Sequence, residues 1–137
     1  MQQSFTREAY SLFSLEIGKS ETTFTSVDQI LAHLKSCIEA DPTAAFITIF
    51  DHYAHTSALP NGQIHDDILA ASNIIFCFGF TLPTPQAMAV RPRSIGVVEL
   101  PEHFHITFME APMPVANTAM ESWARAAHNK EVNNLPT

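Results

Sequence analysis

Ala44-Ala-Phe-Ile-Thr-Ile-Phe-Asp-His-Tyr-Ala-His55 decides how the rest of the chain is read. Up to Phe50 it is apolar on both alternating faces, with Ala45, Ile47 and Ile49 on one and Phe46 and Phe50 on the other. Successive side chains of a strand point to opposite faces, so this pattern predicts a strand buried on both sides, central in its sheet. Its end turns abruptly polar, delivering Asp51, His52, Tyr53 and His55 to the rim of the sheet, where ligand sites are often found.

Upstream, Phe13, Leu15 and Ile17 alternate with Ser14 and Glu16, the pattern of a half-buried strand starting at Ser11. Ser26 followed by Gln29 is a capping-box signal, because the two side chains can satisfy N–H groups at a helix start. Asp28 suits the positive end of that helix dipole. Val27, Ile30, Leu31, Leu34 and Ile38 fall on one helical face, and Asp41-Pro42 ends the helix. Strand, helix, strand in this order predicts a right-handed crossover with the first two strands parallel.

Downstream, Leu59-Pro60-Asn61-Gly62 reads as a turn, Ile64 to Ala71 as a short helix, and Asn73 to Phe80 as another strand apolar on both faces. Gly79 near its end predicts a close approach of backbone or ligand. Pro85 opens a short helix to Met88, and Pro92 breaks the chain after it. Ser94 to Leu100 and His103 to Glu110 form a hairpin around Pro101-Glu102, with Phe104, Ile106 and Phe108 facing the core. A last helix begins after Pro112 and Pro114, with Ala116, Ala119, Met120, Trp123 and Ala127 as its buried stripe. The expected architecture is a single α+β domain over residues 1–137, a mixed sheet of about five strands in the order β-α-β-β-β-β-α, packed by two main helices. Residues 1–10 and 129–137 are expected to be flexible tails.

Composition narrows the class of function. Hydrophobic residues make up 46% and charged residues 15%, which excludes disorder over most of the length. Seven basic residues against 14 acidic ones leave a net charge of −7, which argues against a nucleic-acid partner or an anionic membrane surface. The polar start, Met1-Gln-Gln-Ser-Phe-Thr, and the absence of a long apolar run predict a soluble cytoplasmic protein. Cys37 and Cys77 both lie in apolar company and are expected as reduced, packed thiols.

Asp51, His52 and His55 form the sharpest polar cluster. A neutral imidazole beside a carboxylate can serve as metal ligand or general base, which makes His52 and Asp51 catalytic candidates and His52 and His55 metal candidates. The alternative is that Asp51 accepts backbone N–H bonds while the histidines pack or face solvent. His103 and His105 share the face of their strand opposite the core, compatible with a metal and equally with solvent or a partner subunit. His33, His65 and His128 read as surface residues. Arg91 and Arg93 stand out in a chain poor in cations; they suit a carboxylate or phosphate, or an ion pair with Asp51, Glu99 or Glu110. No catalytic triad order, phosphate loop or dinucleotide fingerprint is readable.

The run Ile49-Phe-Asp-His52, taken with Phe76-Cys-Phe-Gly79, the Pro85-to-Met88 helix and the hairpin ending at Ala111-Pro112, resembles the bacterial family called domain of unknown function 302. The chain would be a divergent relative or a member of a neighbouring uncharacterised family. That resemblance implies an α+β fold, homodimers and no settled activity. The resulting expectation is a homodimeric small-ligand domain whose pocket gathers Asp51, His52, His55, Phe78, Arg91, Arg93 and Glu110 around a small anionic ligand. The rival expectations are a metal- or histidine-dependent enzyme using Asp51, His52 and His55, and an interaction module that docks through its strand faces. Neither a reaction nor a cofactor can be named from these residues.

Overall fold

Ser26 starts the first helix as its signal predicts: its Oγ accepts the Gln29 N–H at 3.2 Å, and helix α1 runs Val27–Ala40. The Gln29 side chain reaches one residue further back than a capping box requires, accepting from the Thr25 N–H at 2.8 Å. Val27, Ile30, Leu31, Leu34 and Ile38 are all buried, the stripe expected from their spacing. This is a computed structural model, describing residues 1–130. The predicted tail from Asn129 therefore lies mostly outside the described residues.

Among the described residues five strands form one sheet: β1 (Leu12–Gly18), β2 (Ala44–Asp51), β3 (Ala70–Phe78), β4 (Arg93–Glu99) and β5 (His103–Met109). Their spatial order is β1-β5-β4-β3-β2, and every neighbouring pair is antiparallel. The fold is α+β, with α1, the short α2 (His52–Ser57) and α3 (Pro114–Arg125) completing it. The sheet is not mixed, however. The first two strands do run the same way, but they occupy opposite edges, and three antiparallel strands fill the space between them.

That arrangement also corrects the position of β2, which is an edge strand and not a central one. Ile47, Ile49 and Phe50 are 50%, 41% and 40% exposed. A bulge explains the misleading two-sided pattern. Phe46 pairs with Phe76 and Thr48 with Ile75, so Ile47 is an extra residue without a partner. Beyond it the alternation reverses, and Ile49 shares the side of Phe46 while Phe50 takes the other. Bulges of this kind are common at sheet edges, where they add twist and blunt pairing with foreign strands.

One core fills the space between the sheet and helices α1 and α3. Ile74, Phe76 and Phe78 of β3, Ile95 and Val97 of β4, and Phe104, Ile106 and Phe108 of β5 all point into it. Burying each such side chain contributes about 1.5–3 kcal/mol. From α3, Trp123 stacks on Phe78 at 5.5 Å and meets the edge of Phe76 at 5.7 Å. His33, expected on the surface, is half-buried at the α1–α3 seam, with its Nε2 3.0 Å from the Trp123 carbonyl oxygen. Cys77, expected in the core, is half-buried on the opposite face of β3 because it alternates with Phe76 and Phe78. Both cysteines are free thiols, and burial raises the pKa of Cys37.

Two of the lesser expectations also shift. The segment before β3 forms turns where a helix was expected, and β3 itself starts at Ala70. Gly79 has φ +85°, a left-handed conformation that suits glycine, and its N–H donates to the Thr43 carbonyl at 2.7 Å. Among the described residues no helix is long and apolar enough to cross a membrane.

A buried arginine at a cavity: the candidate functional site

The seven residues expected to share a pocket separate into two groups at opposite ends of the sheet. Asp51 pairs with Ser72 at one end of β3, while Phe78 lies at the other end, beside Ala44. At a strand rise of about 3.3 Å per residue, the two ends are roughly 20 Å apart.

At the first end, Asp51 does not orient His52. Its Oδ1 accepts the Ala54 N–H at 2.9 Å and caps helix α2, the non-catalytic alternative read from the sequence. His52 instead places Nδ1 3.3 Å from Asn73 Oδ1, and both histidine rings lean on Phe50 at 5.2 Å. All three are exposed. His103 and His105 also lie elsewhere, on the sheet face away from the helices, 3.7 and 4.0 Å from Glu16 Oε1. Among the described residues no cluster of three or more His, Cys, Asp or Glu side chains is arranged to hold a metal ion.

The second end carries a cavity of about 760 Å³. Its floor is Phe78, whose far side rests on Trp123. One wall comes from the 3-10 turn at Pro85–Ala89 and the chain after it, including Val90 and Arg91. Ala111, Met113 and Ala116, spanning the connection from β5 into α3, form another. Residues 4–10 supply the last, through the alternate residues Ser4, Thr6, Glu8 and Tyr10. Glu110 reaches this end without joining the cavity; it borders a smaller recess with Ser11, Phe13 and Asn117.

Arg93 is the chemical centre of the cavity. It is the first residue of β4 and shares the parity of Ile95 and Val97, so its side chain enters on the core side. Only 9% of it is exposed. Its Nη1 donates to the Val90 carbonyl at 3.1 Å and its Nη2 to the Met109 carbonyl, while the buried Nε has no partner among the described residues. No carboxylate forms an ion pair with it among the described residues: Glu99 is taken by Lys19 at 2.8 Å, and Asp51 is at the far end. Burial lowers the Arg93 pKa from its ordinary value, an effect that nearby Tyr10 partly offsets. Arg91, half-exposed at the same cavity, donates to the Thr81 carbonyl.

The start of the last helix adds to the positive potential here. Helix α3 begins at Pro114 beside the cavity, and its cap residue Met113 offers no side-chain acceptor to the first N–H groups. The backbone leading into it is held by Asn117, whose Oδ1 accepts the Ala111 N–H at 2.6 Å while Nδ2 donates to the Ala111 carbonyl at 2.9 Å. Neither Asn117 nor Tyr10 was visible as a site residue in the sequence. The parity of Arg93 with Ile95 and Val97 is legible there, and it places a cation on the core side at this end of the sheet.

No curated protein and no solved structure matches the chain. The resemblance to domain of unknown function 302 is overturned by the family comparison, which finds a different family. Its motifs were four-residue fragments such as Ile49–His52, and the order of elements around them is compatible with many α+β domains. The model of the Family of unknown function (DUF6858) matches residues 1–129, nearly the whole chain, and the protein belongs to that family.

Proposed function

We propose that this protein is a binding domain for a small organic anion, seated in the cavity between Phe78, the start of α3 and residues 4–10, with Arg93 as its counter-charge. One observation carries the reading: a guanidinium that is 9% exposed, lines the cavity and pairs with no carboxylate among the described residues. Buried charges in proteins are ordinarily paired, because an unpaired one forfeits its hydration without return. Two carbonyl acceptors hold Arg93 in place but carry no formal charge. An anion in the cavity would complete it. The volume of about 760 Å³ falls in the range used by small-molecule sites.

Ligand-dependent thermal stability tests the reading on the full chain. The panel is acetate, benzoate, octanoate, citrate and phosphate at constant ionic strength, with Trp123 emission as a second signal, since this sole tryptophan stacks on the cavity floor. A ligand present at a hundred times its Kd should stabilise by about 2.7 kcal/mol. At least one organic anion is expected to raise Tm in the native chain and none in Arg93→Met. Arg91→Met, which spares the buried clamp and loses only the bond to the Thr81 carbonyl, should weaken the same response while lowering the unliganded Tm less than Arg93→Met does. An unmoved Tm across the whole panel, or an equal rise in Arg93→Met, sinks the proposal.

A further inference from the structure

We infer that the anion is a monocarboxylate with an apolar body, an aliphatic or aromatic acid whose carboxylate meets Arg93 while its body lies along Phe78 and Met113. This rests on the anion-binding reading and narrows it. The argument begins with the walls. Phe78, Val90, Ala111, Met113 and Ala116 present carbon to the cavity from three different parts of the chain. A ligand that was polar throughout would lose its hydration against them without replacement. Met113 is unbranched and 40% exposed, the kind of side chain that adapts its shape to an apolar guest.

Charge counting points to a single negative group. Arg91 and Arg93 are the cations of the lining, and Glu8 is an opposing carboxylate on the same cavity. The surplus is one positive charge. A monoanion neutralises it, whereas a dianion such as a phosphate monoester would add uncompensated charge beside Glu8 in a partly desolvated space. The uncapped start of α3 contributes only a partial charge and does not alter that balance.

Isothermal titration of the full-length protein with butanoate, hexanoate, octanoate, octyl phosphate and 1-octanol, at neutral pH and fixed ionic strength, separates the claims. Each methylene transferred from water to an apolar wall should tighten binding about fourfold. Octanoate is therefore expected to bind roughly 250-fold more tightly than butanoate, and more tightly than either octyl phosphate or octanol. Glu8→Gln should improve octyl phosphate more than octanoate. Equal affinity for butanoate and octanoate would overturn the apolar body while leaving anion binding intact. Octyl phosphate binding tighter than octanoate in the native chain would overturn the single charge. Octanol binding as well as octanoate, or no binding by any member, would remove the anion reading itself and this inference with it.

Discussion

Replacing Asn117 with Ala should cost the protein about 1.5 kcal/mol, although Ala is the better helix former. Asn117 makes two hydrogen bonds to one residue, accepting from the Ala111 N–H at 2.6 Å and donating to its carbonyl at 2.9 Å. Ala111 is 5% exposed, so truncation strands both of its backbone groups where water has little access. Stranding a buried backbone group costs about 1–3 kcal/mol, and the pair is only partly buried, so the low end applies to each. Better helix propensity returns roughly 0.5 kcal/mol, leaving a net loss near 1.5. Unfolding entropy of about 2.1 cal/mol/K per residue makes that loss a fall in Tm of roughly 5 °C for a chain of 137 residues. Asn117→Asp keeps the acceptor and gains from the nearby helix start, so it should fall between the native chain and the Ala variant. Thermal unfolding followed by circular dichroism measures all three. A Tm for Asn117→Ala equal to or above the native value would refute the reasoning, since that is what an ordinary helix-surface asparagine would give.

The same geometry supports three smaller predictions. Ser26→Ala removes the acceptor for the Gln29 N–H and should lower stability by about 1 kcal/mol in urea; an unchanged midpoint would show that the cap contributes nothing. Gly79→Ala should cost about 1–2 kcal/mol through backbone conformation alone, because φ is +85° while the nearest atom to the new Cβ, on Arg91, is 4.0 Å away. A loss well beyond that range would mean the site is crowded after all. Burial raises the Cys37 pKa above the ordinary 9.0, so the unfolded chain loses this proton first. The stability it contributes is complete below pH 9 and lost as pH climbs through the raised value, and Cys37→Ala should show a shallower alkaline decline in urea midpoint.

Local signals in this sequence survived into the structure wherever one face met the core and the other met solvent. The α1 stripe, its Ser26 cap and the inward set Phe104, Ile106 and Phe108 all stand as their spacing predicts. Of the two segments apolar on both faces, β3 is interior as that pattern predicts and β2 is not. Such a run in β2 signals a central strand only if its alternation is unbroken and both faces are covered. Here the bulge at Ile47 breaks it, and the face carrying Phe50 is not covered by α1 or α3. Bulges leave little trace in composition, and strand order is decided by which edges the crossover can reach. The parallel direction of β1 and β2 was legible; their separation by three strands was not.

The site posed a different problem, because residue chemistry pointed to one end of the sheet and enclosure favoured the other. Asp51, His52 and His55 are the conspicuous residue types, yet the chain there turns into the short α2 and leaves them exposed. A polar cluster becomes a site only when something excludes water around it, since exposed charges are screened and exposed imidazoles are already hydrated. Enclosure at the other end needs residues 4–10, the turn at Pro85–Ala89 and the start of α3 to converge, and no periodicity relates segments so distant in sequence. The legible signal was the burial of a single cation. In Arg93-Ser-Ile-Gly-Val97 the arginine takes the same side as two core residues, a position that a charged side chain seldom occupies without a partner. That one parity argument outweighs the histidines, because it rests on a cost the fold must meet somewhere, and the nearest open space in which to meet it is the cavity Arg93 lines.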